Sequence, residues 1–476
     1  MKKLMLFFLL TAIVIAKPYE PNNIDKQIIN HTFNEEFDRA IKLSQDQIKI
    51  NTASPKYHYY YINTKILEYY QKVAEIDPEK REAGRKVLNK EIIDYCENVL
   101  NKFDNSKLNT ENKFYLGSIY AYLGRVNGLD GSWWSAFRNG QKSRNIMEEV
   151  LKADPKFYDA YLVLGMLYYY ADRLSGITGF IAGVLGMTGD RIKGLEYLQL
   201  AYDKGMLTYG QTALTLIEIY SSLEDNDLEA IKYYEDFLKR YPRNKRTLNA
   251  YCHRLIGLYE FDKLSSIINS ELIEDYTKAR YYDAIGNTEL AIRFAEESLK
   301  NEKSLWRGAS GNAKYIIVFN SWLTGNSSLQ KKYESELDER YKEIFETAKN
   351  FEKGSKWIHQ FSIQAALGKS IAELESLAAN KPDTRQSPEL ECRFNLMMGF
   401  FYFKNGILSK SETFYRKCLN SKNERYKYTA YKYLVDIYLN QNEDKSKVKK
   451  LLDDIEDFDN DRLTFRAKDL EKKYNL

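Results

Sequence analysis

Two short stretches gather the side chains best suited to recognition chemistry. The first reads Gly124-Arg125-Val126-Asn127-Gly128-Leu129-Asp130-Gly131-Ser132-Trp133-Trp134-Ser135-Ala136-Phe137-Arg138. The second begins Ala171-Asp172-Arg173, carries no charge from Leu174 to Gly189, holds Phe180 near its middle and ends Asp190-Arg191. Aromatic rings supply contact area and arginines supply planar charged donors, the two types enriched at binding surfaces. The candidate partner-binding residues are therefore Arg125, Trp133, Trp134, Phe137, Arg138, Asp172, Arg173, Phe180, Asp190 and Arg191. A second reading has the two stretches bury each other, with Asp172, Arg173, Asp190 and Arg191 pinning the loop ends by ion pairs. The readings are compatible, since a binding lip also needs support.

Catalytic constellations are not found in the sequence. Gly183-Val184-Leu185-Gly186-Met187-Thr188-Gly189 is glycine-rich but has no lysine to hold a phosphate. Gly308-Ala309-Ser310-Gly311 lacks the spacing of a nucleophile elbow. His31, His58, His253 and His359 are isolated, and Cys96, Cys252, Cys392 and Cys418 form no C-x-x-C pair near a histidine. The ligand spacings of a metal site are thus missing. Cys392 and Cys418 are the best-placed pair for a disulfide in an oxidising compartment; the favoured reading is four buried thiols acting as small hydrophobes. Carboxylates over 223–240 read as a solvated helix face, although an acid pair hidden among them would be invisible to sequence. The expectation is a non-enzyme with no cofactor and no metal.

The elements that position these residues are helical. The chain has 476 residues, 44% of them hydrophobic and 29% charged, with 39 tyrosines and only 8 prolines. Few prolines and many Lys, Glu and Leu suit long helices with short turns. Apolar periodicity marks 34–50, with Phe37, Ala40, Ile41, Ser44 and Ile48 on one face. Ser54-Pro55 and Asp77-Pro78 start two further helices, since proline suits a first turn.

Lys2 and Lys3 precede an apolar run from Leu4 to Ile15, with Ala16 at a cleavage position: the pattern of a secretory signal. Export across the inner membrane to the periplasm is expected, and no later segment is long and apolar enough to span a bilayer. The net charge of +4 falls to about +2 without Lys2 and Lys3. That balance excludes a dedicated nucleic-acid binder.

One phrase occurs twice: Tyr115-Leu116-Gly117-Ser118-Ile119-Tyr120 and Val163-Leu164-Gly165-Met166-Leu167-Tyr168. After the first copy comes a second helical stretch closing at Ala153-Asp154-Pro155. With these residues the chain resembles the tetratricopeptide repeat family, in its bacterial secreted or periplasmic form. The resemblance places Gly117 and Tyr120 in a first helix, Ser143, Met147 and Val150 in its partner, and Pro155 at the close. It repeats with Gly165 and Tyr168, then Gly194, Leu198 and Ala201. A third unit has Leu216, Ile217 and Tyr220, then Ala230, Tyr234, Phe237 and Pro242. Another near the C-terminus has Met398, Gly399 and Tyr402, then Ser411, Tyr415 and Cys418. Weaker units cover 251–268 and 281–299, while 313–345 and 357–377 are helical but match poorly. Tyr120, Tyr168 and Tyr220 are expected in the core where helices stack.

What the resemblance implies is an all-α fold, a right-handed α-solenoid of tetratricopeptide-like helix pairs with two long loop insertions. The expected organisation is a signal at 1–16, a helical region over 17–110 and a repeat array over 111–262. Degenerate repeats follow over 263–380, and a C-terminal repeat pair over 388–476. The insertions fall at 124–140 and 171–191, because Gly117 and Gly165 lie 165 − 117 = 48 residues apart against a period of about 34. Such arrays present binding surfaces. The implied function is a non-catalytic protein- or peptide-binding scaffold of the cell envelope. The alternatives are a lipid or membrane-surface module using 174–189 and, secondly, an enzyme with a hidden carboxylate site.

Overall fold

The computed structural model describes residues 20–76, 78–173, 189–302, 305, 308–440, 445–456, 471 and 476. The expected signal at 1–16 and the centre of the second insertion, Phe180 included, lie outside these residues. The fold is all-α, built of helices that pair with their neighbours in the chain. Two compact units emerge: residues 1–32, 37–65 and 89–212 form one, and 33–36, 66–88 and 213–476 the other. No described helix is long and apolar enough to cross a membrane.

The chain enters through α1 (Asn23–Phe33), α2 (Phe37–Ile50), α3 (Lys56–Glu75) and α4 (Arg81–Leu100). The proline signals hold: α3 follows Ser54-Pro55, and a short turn at Pro78–Lys80 precedes α4. On α2 the periodic face is Phe37, Ala40 and Ser44, all buried. The sequence reading missed α1, an 11-residue helix whose apolar anchors, Ile28, Ile29 and Phe33, are spaced among polar residues.

The first unit continues through α5 (Thr110–Leu129), α6 (Trp133–Ala153), α7 (Ala160–Asp172) and α8 (Arg191–Lys204). The α5–α6 pair departs from expectation. Its extra residues are present, but they are helix rather than loop. The Ser143 hydroxyl donates to the carbonyl of Gly117 at 2.7 Å, 26 residues away, whereas Ser411 makes the same bond to Gly399 at 2.8 Å over 12 residues. The difference is 26 − 12 = 14 residues, seven in each arm, or about two turns of helix per arm. Only Asp130, Gly131 and Ser132 turn the chain. Gly131 stands at φ +82°, and Ser132 N–H donates to Asn127 O at 2.8 Å, which closes the helix in the left-handed manner that favours glycine. The glycines that read as loop serve close packing instead. A Cβ on Gly124 would lie 3.0 Å from the Ala136 carbonyl oxygen and 3.3 Å from Gly140 N.

The α7–α8 pair keeps an ordinary hairpin at its base. A Cβ on Gly194 would fall 2.6 Å from Tyr169 N and 2.9 Å from the Gly165 carbonyl oxygen, so both positions must lack a side chain. The ends of the second insertion meet: Asp190 N–H donates to Tyr168 O at 3.0 Å, and a Cβ on Gly189 would lie 2.0 Å from Asp172 N.

The second unit begins with α9 (Tyr209–Glu218, entering at Ala213) and a π-turn at Ile219–Leu223. It continues through α10 (Asp227–Arg240), α11 (Lys245–Gly257), α12 (Phe261–Ser265), α13 (Asp275–Ala284) and α14 (Thr288–Leu299). Next come α15 (Ala309–Thr324), α16 (Ser327–Glu334), α17 (Glu339–Asn350), α18 (Glu352–Ala366) and α19 (Ile371–Ala378). It ends with α20 (Pro388–Lys404), α21 (Leu408–Arg416), α22 (Glu424–Asn440) and α23 (Lys445–Glu456).

This unit folds back on itself. Lys404 on α20 pairs with Glu260 at 2.7 Å and donates to Leu258 O at 3.2 Å. The Tyr259 ring sits 4.9 Å from Phe401, and Leu258 shares a buried cluster with Ile358, Phe394 and Phe401. From α22, Tyr428 OH donates to Asp225 at 2.7 Å and Lys432 pairs with it at 3.0 Å. Tyr259 (φ +54°) and Asp225 (φ +51°) are non-glycine residues in the left-handed region, a cost that surrounding contacts must hold in place. Both occur where the unit closes.

All four cysteines are buried and free. The Cys418 thiol donates to the Cys392 carbonyl at 3.4 Å, so the best-placed pair is adjacent but not bonded.

Candidate functional site

The lengthened hairpin carries the aromatic residues to its end. Trp133 and Trp134 open α6 and are 43% and 53% exposed, beside Leu129 at 40%. Phe137, one turn further, is buried, and the Trp133 ring stacks on it at 6.5 Å with a 30° interplanar angle. One face of the tip is thus anchored in the hairpin and the other left to solvent. Arg138 is exposed and Arg125 half-buried. Arg125 lies near enough to Tyr122 to oppose, in part, the rise that burial imposes on that phenol.

The flanks of the second insertion are placed as follows. Asp172, Arg173 and Arg191 are half-buried and Asp190 is exposed. Asp190 caps α8 by accepting from Lys193 N–H at 3.0 Å. The Arg173 guanidinium lies 5.8 Å from the Tyr169 ring centroid and donates to its hydroxyl at 3.5 Å.

The tyrosine that closes each copy of the phrase is not a core residue, although Tyr115 at the head of the first copy is fully buried. Tyr120 and Tyr168 are half-buried and covered by cations. Lys142 lies 5.2 Å over the Tyr120 ring, while Lys193 at 4.3 Å and Arg144 at 5.3 Å flank that of Tyr168. Tyr220 is likewise half-buried, stacked on Tyr233 at 5.5 Å. Buried rings near them include Tyr115, Tyr122, Tyr169 and Tyr233. Gly117 and Gly165 bring their partner helices so close that the ring three residues later cannot enter the contact and emerges at its margin. Tyr161, Tyr168 and Tyr197 then form an edge-on series, with centroids 4.9 and 5.8 Å apart.

A further cluster, which the sequence reading did not single out, lies within the second unit. Arg280 on α13 donates through Nη1 to His253 Nδ1 on α11 at 2.7 Å. Thr277 Oγ1 lies 3.3 Å from the other ring nitrogen and donates onward to Asn249 Oδ1 at 2.9 Å. This chain of bonds fixes the His253 proton on Nε2 and leaves the ring neutral. Burial first, then Arg280 and Arg254, push its pKa down to about 3. Asp283 accepts from Asn320 at 2.6 Å. Tyr315 stacks on Tyr341 at 5.3 Å. Arg393 on α20 acts electrostatically on Tyr315, His359 and Tyr426, and Arg425 on α22 acts on Arg280. No spacing in sequence marks these residues, which are spread over 249–426. Among the described residues, no group of His, Cys, Asp and Glu is arranged to hold a metal ion.

No family model matches the sequence, and no curated protein matches it. Among solved structures, the chain is similar to one described as "Crystal structure of APC/C hetero-tetramer Cut9-Hcn1". The TM-score is 0.23 and the identity 10%, over 94% of this chain and 95% of that one. It is also similar to "Structure of Naa15/Naa10 bound to HypK-THB", with a TM-score of 0.18 and 11% identity over 95% of this chain and 96% of that one.

Proposed function

We propose that this protein is a non-catalytic scaffold that binds a protein or peptide partner in the cell envelope, with the end of the α5–α6 hairpin as a contact point. The supporting observation is the pair Trp133 and Trp134, 43% and 53% exposed on a stiffened helical arm. Tryptophan is the residue type most enriched among those that dominate binding energy. Two adjacent exposed rings, backed by buried Phe137, form a preorganised surface with little side-chain entropy left to lose. Arg138 supplies a charged donor at its rim. The signal-like pattern of Lys2, Lys3 and the apolar run from Leu4 to Ile15 is what supports partners in the envelope.

The test is affinity capture from envelope extract with the wild-type chain and with Trp133→Ala/Trp134→Ala. The proposal expects a defined subset of captured polypeptides to be lost with no change in unfolding midpoint. Identical sets would remove the tip from the binding site. Liposome flotation abolished by Phe180→Asp would favour lipid contact through 174–189 instead.

A further inference from the structure

The geometry points to a binding site for a small, multiply charged oxyanion inside the second unit, built around Arg280 and Arg393. It is independent of the hairpin tip and does not rest on the function proposed for it.

A half-buried guanidinium normally has a carboxylate beside it, because an uncompensated charge out of water is costly. The neighbouring cations obey this rule. Arg254 pairs with Asp227 at 3.3 Å, Lys314 with Glu302 at 3.1 Å, Lys381 with Glu391 at 2.6 Å and Lys404 with Glu260 at 2.7 Å.

Arg280 and Arg393 do not. Arg280 is half-buried, and its hydrogen-bond partner is the neutral His253, held as an acceptor by the bonds through Thr277 and Asn249. Arg393 is half-buried and makes no ion pair or hydrogen bond through its side chain among the described residues. One aspartate, Asp283, faces the cluster, and its carboxylate accepts from Asn320 rather than from an arginine. With exposed Arg425 at the margin, three arginines stand against two carboxylates, Asp283 and Glu389, the latter acting on Tyr426.

The fold makes this costly arrangement deliberate. The residues come from α11, α13, α15, α17, α18, α20 and α22, and the unit closes through Lys404 with Glu260 and Lys432 with Asp225. Closure gathers positive charge between packed helices, where Coulomb attraction for an anion is stronger than in water. The planar guanidinium fork matches carboxylate and phosphate oxygens. Tyr315, Tyr341 and Tyr426 add phenol groups around it, and burial raises the pKa of Tyr315 and Tyr426, which keeps those two protonated; the Tyr276 hydroxyl already donates to Asn312 at 3.0 Å. Separate arginines on different helices suit an anion with several charges. The half-buried position of both arginines on helices of one unit suits a small ligand over a folded partner.

The experiment is titration calorimetry on the full chain at low ionic strength, with citrate as the carboxylate source and pyrophosphate as the phosphate source. An acetylated tetraglutamate peptide is the third arm. Saturable binding of citrate or pyrophosphate is expected, and the tighter of the two identifies the ligand's chemistry. Arg280→Gln and Arg393→Gln should each weaken it at least tenfold. Arg385→Gln, at an exposed arginine already paired with Asp383 at 2.7 Å, should leave it unchanged. A second readout needs no ligand. Arg393→Met removes an uncompensated charge and should leave the unfolding midpoint unchanged or raise it. Absence of binding by both small anions overturns the proposal. So does tetraglutamate binding more than tenfold tighter than either, or a lower midpoint for Arg393→Met.

Discussion

The hydroxyl of Ser143 donates to the backbone carbonyl of Gly117 at 2.7 Å across the α5–α6 pair. Ser411 and Gly399 repeat the bond at 2.8 Å in α20–α21. In α7–α8 a second glycine replaces the serine, and backbone meets backbone: a Cβ on Gly194 would be 2.9 Å from the Gly165 carbonyl oxygen. One contact therefore recurs in three pairs, and what varies is the length of helix beyond it.

Gly194→Ala should lower the unfolding midpoint. The new methyl would sit 2.6 Å from Tyr169 N, a backbone atom that cannot swing aside. Overpacking of this kind costs about 1–3 kcal/mol, more than the roughly 1 kcal/mol that alanine gains over glycine in a helix. Gly257→Ala meets nothing within 4 Å and should raise the midpoint. Thermal unfolding of the two variants checks the pair; a rise for Gly194→Ala would refute the close approach of α7 and α8.

Asp159 is 4% exposed and accepts from the backbone N–H groups of Met206, Leu207 and Thr208 at 3.2, 2.8 and 2.8 Å, and from the Thr208 hydroxyl at 2.8 Å. Asp159→Ala orphans those donors and should cost roughly 3 kcal/mol. Hydrogen exchange should show faster exchange at 206–208. Unchanged exchange there would mean that the donors find other acceptors.

Stability should fall as pH drops below about 6.5, in part through His58. Tyr95 OH lies 2.8 Å from its Nδ1, and burial, followed by the nearby Lys102 charge, pushes its pKa down to about 4. The unfolded chain, with a histidine pKa of about 6.5, binds the proton more readily. The folded state's advantage is thus complete above about 6.5 and is lost as pH falls toward 4, at roughly 1.4 kcal/mol per pH unit. His58→Gln should flatten this part of the pH–stability curve. An unchanged slope would show that His58 is protonated in the folded protein.

Trp134→Ala and Phe137→Ala should separate surface from core within one helix. Trp134 is 53% exposed and Phe137 only 6%. Losing the buried phenylalanine should cost about 3–5 kcal/mol, whereas Trp134→Ala should stay within about 1 kcal/mol. Denaturant titrations would distinguish them. Equal losses would mean that the tip packs as tightly as the core.

Local signals in the chain carried far. The spacing of Gly399 and Ser411 marks a helix pair that the structure closes with a hydrogen bond, and Ser54-Pro55 marks the start of α3. Glycine misled where its role was tertiary. Gly124, Gly128 and Gly140 read as loop, yet Gly124 and Gly140 lie where two helices nearly touch. The second copy of the repeated phrase was read one position out: Tyr169 is fully buried and Tyr168 half-buried under two cations. The exposure of Trp133 and Trp134 could not be read, because it depends on where α5 ends. His253, Arg280 and Arg393 meet only when the second unit closes, and no local period carries that information.

The most direct test of the account replaces Trp134 with a photo-crosslinking phenylalanine analogue and compares it with the same analogue at Val87, an exposed apolar position at 61%. Illumination of intact cells should yield a discrete crosslinked polypeptide from position 134 and none from position 87. No product at 134, or the same products from both positions, would contradict a partner site at the end of the hairpin.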